Sequence, residues 1–330
     1  MENLITAFPH NITSALEYVS KLALKKTAKE INNLVFIGMG GSGIGAKIVS
    51  EWIQNEISIP IQILQDYTIP KYVDEHTLVI ACSYSGNTEE TLISASLAKD
   101  AGANIIGISS GGKLKDFCTD NNYYCLIIPG GNPPRTAIAY SIIYIAYILE
   151  NNGLIDSKIV EQLKNSKSLI LDNISKIKED AEKLALFLKD KVGIFYSTTE
   201  YEPFLIRARQ QFNENSKLLC WHHVIPEMNH NELVGWGGGN DGFAPVFFDT
   251  KDMNIQNKTR FSLTINEVKK YTSNLLVIDA LGSNKVEKTF YLIHLVDWAS
   301  LYLANLKPVD PMEIKCIDFL KTELAKVENH

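Results

Sequence analysis

The chain has 330 residues, too many for one ordinary core and enough for two compact units of about 150 to 180 residues each. Hydrophobic residues make up 45% and charged residues 21%, an ordinary globular composition with little room for extended disorder. A formal charge of −6 and a pI near 5.7 exclude a basic field for nucleic acid, so any anionic ligand has to be held by local groups.

The N-terminus opens with Glu2 and early polar residues, which spoil a signal peptide, and no stretch reaches about 18 uninterrupted apolar residues. A soluble, unexported protein without a membrane span is expected. The five cysteines (Cys82, Cys118, Cys125, Cys220 and Cys316) are odd in number and lack a CxxC pair, which argues against a disulfide framework or a structural zinc site. A reducing cytoplasm fits them.

Residues 11–28 carry Ile12, Leu16, Val19, Leu22 and Leu24 at helical spacing, and a short apolar run follows at Leu34 to Ile37. Further runs at Ile61 to Leu64, Leu78 to Cys82, Asn104 to Ile108 and Tyr124 to Ile128 predict strands, with a helix over Thr88 to Ala101. Apolar strands separated by helices imply a parallel sheet covered on both faces. Ala139 to Leu149 is apolar all round and bounded early by polar residues, as expected of a buried helix closing the first domain.

Residues 151–191 read as solvated helices, which places a domain join near Asn151 and divides the chain into 1–150 and 151–330. Val192 to Tyr196, Ala244 to Phe248 and Leu275 to Ile278 then repeat the strand theme, and Tyr291 to Leu306 reads as helix. The fold class is α/β, with a mainly parallel sheet flanked by helices in each half. Gly235 to Gly239, around Trp236, reads as a flexible turn near the mouth of a site.

Two loops of the first half suit an anion. The first strand runs into Gly38-Met39-Gly40-Gly41-Ser42-Gly43, where glycines permit close backbone approach and the following helix offers unpaired N–H groups. Gly38, Gly40 and Gly43 also match GxGxxG, which on its own suggests a dinucleotide fold with Asp66 on the ribose. The loop after the third strand, Cys82-Ser83-Tyr84-Ser85-Gly86-Asn87-Thr88, adds three hydroxyls around a glycine at a helix start. That is a phosphate cradle of neutral donors, for which a dinucleotide fold has no need. Taken singly, Thr88 is a helix cap and Ser83 and Ser85 are turn formers.

Together, G-x-G-G-S and S-x-S-G-N-T resemble the sugar isomerase (SIS) domain, whose members bind phosphosugars with the serine-threonine loop. Asn132-Pro133-Pro134-Arg135-Thr136, Gln210 to Lys217 and Pro226 to Glu232 narrow the resemblance to the bifunctional phosphoglucose/phosphomannose isomerase family. The resemblance implies two SIS-type domains and an aldose–ketose isomerase acting on phosphorylated hexoses through a cis-enediol. In that family pattern Gly40, Gly41, Ser42, Ser83, Ser85, Thr88 and Pro134 hold the substrate and Arg135 stabilises the enediolate. Glu214 carries the proton between C1 and C2, and His230 and Lys321 assist ring opening. The resemblance also implies a homodimer in which His230 completes the partner's site, and no metal or other cofactor.

The chemistry agrees with these roles. One carboxylate can remove a proton at C2 and return it at C1. A permanent cation can stabilise an enediolate without titrating, and a histidine near neutrality suits pyranose opening. Without the resemblance, Glu214 beside Arg207, Arg209 and Lys217 reads as a surface ion pair, Arg135 as an exposed turn residue, and His230 as a loop residue. His222, His223, Glu227 and His230 include zinc-ligand types, but no helical i, i+4 histidine pair occurs and Pro226 divides them. His10, His76, His294 and His330 show no pattern and are left unassigned. Two other functions compete: a non-catalytic SIS-type phosphosugar sensor, and a dinucleotide oxidoreductase resting on Gly38, Gly40 and Gly43.

Overall fold

In the computed structural model, residues 1–324 and 326 are described; His330 lies outside them. The first half runs α1 (Glu2–Thr6), α2 (Phe8–Ser20), β1 (Asn33–Gly38), α3 (Gly40–Ile53), β2 (Ile61–Leu64), β3 (Thr77–Ser83) and α4 (Glu89–Asp100). It continues with β4 (Asn104–Ser109), α5 (Gly112–Asp120), β5 (Tyr124–Ile127) and α6 (Ile138–Asn151). The second half begins with α7 (Lys158–Asp172), α8 (Ile174–Leu188), β6 (Val192–Thr198), α9 (Glu202–Ser216) and β7 (Trp221–Ile225). It ends with α10 (Glu232–Gly235), β8 (Phe243–Asp249), α11 (Ile255–Val268), β9 (Leu276–Asp279), α12 (Lys285–Leu306) and α13 (Lys315–Leu324).

The strands form two sheets, ordered β2-β1-β3-β4-β5 and β7-β6-β8-β9. Every pairing is parallel, so the apolar runs are buried on both faces by helices, as the sequence predicts. One strand escapes the sequence reading. β7 is Trp221-His222-His223-Val224-Ile225, an edge strand whose first three residues are only partly buried, so it lacks the apolar run that marks the others.

The first predicted helix ends at Ser20 rather than near residue 28. Beyond it the backbone is tied down elsewhere: Tyr147 Oη donates to Leu22 O (2.7 Å) and the Thr27 amide donates to Asn152 Oδ1 (3.0 Å). A side-chain donor and a side-chain acceptor from the end of α6 thus replace helical bonds. α6 is buried along almost its whole length. Ile142, Ile143, Ile145, Ile148 and Leu149 are fully buried, each contributing about 1.5–3 kcal/mol against exposure.

α12 plays the same part in the second half, packed against α7, α8 and α9. α7 and α8 are therefore not simply solvated: Leu163, Ile170, Ile177, Leu184 and Leu188 are fully buried in the core they share with α12. Burial pushes the His294 imidazole on α12 down to about 3. It is therefore neutral at ordinary pH, and its Nε2 accepts from Trp298 Nε1 at 3.1 Å. α3 packs on α9 and joins the halves.

Gly235 to Gly239 is more ordered than a flexible turn. It closes α10 and forms a 3-10 turn, with Trp236 buried and its Nε1 donating to Tyr196 Oη at 3.1 Å. Tyr196 and Trp236 share a small core with Ile194 and Phe247, whereas Phe195 and Phe248 pack with Phe212 of α9. Since side chains alternate along a strand, the glycine run covers the sheet face opposite α9.

Candidate active site

β1 has β2 on one side and β3 on the other, so the crevice above the carboxyl ends of β1 and β3 is the topological switch point of the first sheet. Both predicted loops open there. Gly43 is needed because a Cβ on it would stand 2.3 Å from Gly38 O, and Gly40 has φ +48°. The first helical bond of α3 is donated by Gly43 to Met39 O (3.1 Å), which leaves the Gly40 and Gly41 amides free at the helix start. Ser42 Oγ accepts from the Tyr84 amide at 2.9 Å and ties this loop to the serine-threonine loop.

The three hydroxyls of that second loop divide their work. Ser83 is fully buried, and its Oγ bonds Thr88 Oγ1 at 2.8 Å, so it shapes the loop from beneath. Ser85 is exposed and Thr88 half-buried. Thr88 makes no side-chain bond to the α4 backbone it precedes. Ser85 and Thr88 therefore present hydroxyls where a ligand can reach them, beside the Gly40 and Gly41 amides.

Pro133 and Pro134 lead into a 3-10 turn, Pro134–Thr136, that leans on the glycine loop: a Cβ on Gly41 would lie 3.4 Å from Arg135 N. From this turn Arg135, 3% exposed, reaches into the second half. Its Nη1 donates to Glu214 Oε2 at 2.9 Å, its Nε to Asn215 Oδ1 at 2.8 Å and its Nη2 to Pro311 O at 2.7 Å. Burial lowers the affinity of this guanidinium for its proton, opposed by the charge of Glu214. The Glu214 side chain is 29% exposed, so one flank of the ion pair stays open. Neither residue is the free surface group that each suggests in isolation.

Several contacts fix Glu214. α9 ends at Lys217 in the left-handed region (φ 49°), and Lys217 Nζ donates to the carbonyls of Glu214, Asp310 and Glu313. Asn215 Nδ2 donates to Ser300 Oγ of α12 at 2.9 Å. Two turns further back, buried Arg207 joins Asp297 and the Arg135 carbonyl through Nη2, each at 2.9 Å. Burial pushes the Asp297 carboxyl up to about 6, against the pull of Arg207. In the sequence, Arg207 figures only as a neighbour in a surface ion pair, and Asn215, Asp297 and Pro311 have no separate role. A signal existed for three of them: Arg207, Gln211 and Asn215 fall at i, i+4 and i+8 on α9, and His294, Asp297 and Ser300 at i, i+3 and i+6 on α12. Polar residues repeating at helical spacing on the faces of two helices that pack together mark a buried seam. Pro311 contributes only its carbonyl, for which residue identity carries no signal.

His230 and Lys321 stand apart from this cluster. α9 delivers Glu214 to the amino-terminal edge of the second sheet, whereas His230 ends a 3-10 turn (Glu227–His230) beyond the carboxyl end of β7 and is exposed. β7 alone separates them by about 16 Å at 3.2–3.4 Å per residue. Lys321 is exposed on α13 and has no hydrogen bond or ion pair among the described residues.

The zinc alternative disperses into pairs. His222 faces Glu202 at 3.8 Å, and the imidazole beside it holds the Glu202 carboxyl low. His223 faces Glu232 at 2.9 Å, and Glu227 accepts from Asn231. Among the described residues no group of three or more His, Cys, Asp or Glu is placed to hold a metal ion.

Comparison with known proteins agrees with this arrangement. The family described as SIS domain matches residues 29–144, and the family described as bacterial phospho-glucose isomerase C-terminal SIS domain matches residues 177–324. A bifunctional phosphoglucose/phosphomannose isomerase of Caldicellulosiruptor bescii is 35% identical over 97% of this chain and 98% of its own. A D-glucosamine-6-phosphate 4-epimerase of Sulfolobus acidocaldarius is 31% identical over 79% of this chain and 83% of its own. Among solved structures, the C-terminal domain of glucosamine-fructose-6-phosphate aminotransferase from Francisella tularensis shares the fold, with a TM-score of 0.76 at 15% identity, covering 95% of this chain and 97% of that one. Full-length similarity to isomerases leaves no ground for the dinucleotide reading and favours an enzyme over a sensor. With both halves matched and its two anion loops joined to an Arg135–Glu214 pair, the chain belongs to the bifunctional phosphoglucose/phosphomannose isomerase family.

Proposed function

We propose that this chain interconverts glucose 6-phosphate or mannose 6-phosphate with fructose 6-phosphate, the 1–150 domain holding the phosphate and the 151–330 domain supplying the base. The observation that carries the reading is the Arg135–Glu214 contact, 2.9 Å long, next to a glycine loop at a switch point. The substrate phosphate binds at Gly40, Gly41, Ser42, Ser85 and Thr88, with Ser83 and Pro134 shaping the floor. Glu214 takes the proton from C2 of the open aldose and returns it to C1. As it does so, negative charge moves from the carboxylate to the substrate oxygens. Arg135, already beside the carboxylate, stabilises the charge in both positions. These steps are proton transfers by side chains of the chain and need no cofactor.

The test is isomerisation in heavy water. Fructose 6-phosphate should yield aldose phosphate with deuterium at C2, and recovered ketose should carry it at C1. Glucosamine 6-phosphate should stay unchanged at C4. Epimerisation at C4 without exchange at C1 or C2 would overturn the assignment.

His230 opens the sugar ring from the neighbouring subunit of a cytoplasmic homodimer, and Lys321 of α13 assists it. Its place at the opposite edge of its own second sheet supports this trans arrangement. No helix among the described residues is long and apolar enough to cross a membrane. If inactive Glu214→Gln protein is unfolded and refolded with inactive His230→Ala protein, activity should return. Each hybrid dimer then has one site with both native residues. Hybrids that stay as inactive as either parent would place His230 in the same chain's site.

A further inference from the structure

Cys118 and Cys125 meet on the first sheet without any part in the chemistry above. Cys125 lies on β5, the edge strand, in register with Gly107 of β4, which is in register with Ala81 of β3. Cys118 comes down onto the same face from α5, on the far side of a tight turn closed by the Tyr123 amide donating to Cys118 O (2.8 Å). Both sulfurs occupy the space a side chain at residue 107 would need: a Cβ there would lie 2.6 Å from Cys118 Sγ and 3.2 Å from Cys125 Sγ. Cys82 belongs to the neighbouring row and to the core on the other face, so the sheet separates it from the pair.

The two thiols differ in access and charge. Cys118 is fully buried, and Cys125 is partly exposed. Contact with Cys118, assisted by Lys115, holds the Cys125 thiol below its usual range, while the same contact and burial push Cys118 up. An accessible, more acidic sulfur beside a buried one matches the arrangement of an attacking and a resolving cysteine.

We infer that Cys118 and Cys125 form a reversible disulfide under hydroperoxide, and that the bond acts on the phosphate loop through α5. In the first step the Cys125 thiolate attacks one peroxide oxygen, the O–O bond breaks, and the departing hydroxide takes a proton from solvent to become water. Cys125 is left as a sulfenic acid. The Cys118 sulfur then attacks the Cys125 sulfur, the S–O bond breaks, and the leaving hydroxide takes the Cys118 proton as a second water. Two thiols have lost two electrons and the peroxide has gained them.

The route to the phosphate site is short. Leaving non-bonded contact for a bond of about 2.05 Å draws α5 toward β5. The opposite end of α5 is packed on the serine-threonine loop at backbone contact. A Cβ on Gly86 would stand 1.8 Å from Gly111 O, and one on Gly112 would stand 2.5 Å from Ser85 O. Three bonds fasten the same junction: the Ser110 amide to Tyr84 O at 2.9 Å, the Leu114 amide to Gly86 O at 2.9 Å and the Lys113 amide to Asn87 Oδ1 at 3.2 Å. With no slack at that junction, a tilt of α5 displaces Ser85 and Thr88. The coupling, though not the disulfide itself, rests on the phosphosugar function proposed for this loop.

The full-length protein is treated with hydrogen peroxide, alkylated and mapped by mass spectrometry, and assayed before and after dithiothreitol. Wild type should show a Cys118–Cys125 cross-link and a KM for fructose 6-phosphate raised at least about tenfold, since a misplacement of about 1 Å can cost more than that. Both changes should reverse with reductant. Cys118→Ala and Cys125→Ala, each checked for an unchanged melting profile when reduced, should keep their KM through oxidation. If one of them fails to fold, the other still serves as the control. Wild-type thiols that remain free, or Cys125 linked to any other cysteine, would overturn the site. A cross-link that leaves KM unchanged would overturn the coupling. Reduced protein without isomerase activity would refute the function of the loop and leave the disulfide result standing.

Discussion

Glu214→Gln is expected to lower kcat for fructose 6-phosphate by about 10²–10⁴-fold, the usual contribution of a positioned general base. Glutamine keeps the length of the side chain and an oxygen that can still accept from Arg135 Nη1, so the buried guanidinium retains a partner at the 2.9 Å contact. The phosphate loops lie on the other half and do not touch the substituted group, so KM should move little. Loss of kcat with KM and melting temperature near wild type is the pattern of an interaction used only in the transition state. Wild-type turnover in this variant would remove Glu214 from the mechanism.

Arg135 should show two separable effects. Arg135→Lys keeps the charge but loses the planar fork, and a compact ammonium cannot serve Glu214 Oε2, Asn215 Oδ1 and Pro311 O in the present geometry. A fall in kcat of about 10²–10³-fold is expected, comparable with losing one preorganised donor at a developing oxyanion. Arg135→Met should lose clearly more turnover than Arg135→Lys and also about 1–3 kcal/mol of stability per buried acceptor left unpaired. Parallel denaturant titrations and kinetics would separate the two. Turnover in Arg135→Met equal to that of Arg135→Lys would show that charge contributes nothing, and the enediolate role would fall.

Much of the first half was legible in sequence because its constraints are local. Gly38 and Gly43 are five positions apart and their contact depends on the missing side chains themselves. Ser83 and Thr88 are likewise neighbours in sequence, although their division of labour was not readable: burial of Ser83 comes from its place at the end of β3, between strands contributed by distant segments. The α/β class followed from apolar runs, and β7 was missed because its histidines and edge position break that run. The support of Glu214 was harder to see. Arg135 meets Asn215 across 80 positions and Pro311 across 176, and those partners follow from helix packing rather than from any local pattern. In that setting the charges around Glu214 could be mistaken for a solvated helix end. Arg207 is instead buried against Asp297, where an ion pair costs desolvation and fixes orientation more than it adds stability.

The carbonyl of Pro311 has a consequence for the order in which the protein is made. Domains emerging from a ribosome fold from the N-terminal side first, so a nascent chain can assemble the first sheet, both anion loops and the turn bearing Arg135 while the second half is still untranslated. That intermediate holds the loops proposed to cradle the phosphate but leaves Arg135 without the partners that orient it. The acceptor for Nη2 and the Asp310 and Glu313 carbonyls that anchor Lys217 all come after α12 in the chain. Under the proposed function, synthesis therefore gates competence: a shortened chain ending before Pro311 would keep the loops assigned to the phosphate and lack the contacts that orient Arg135 and Lys217.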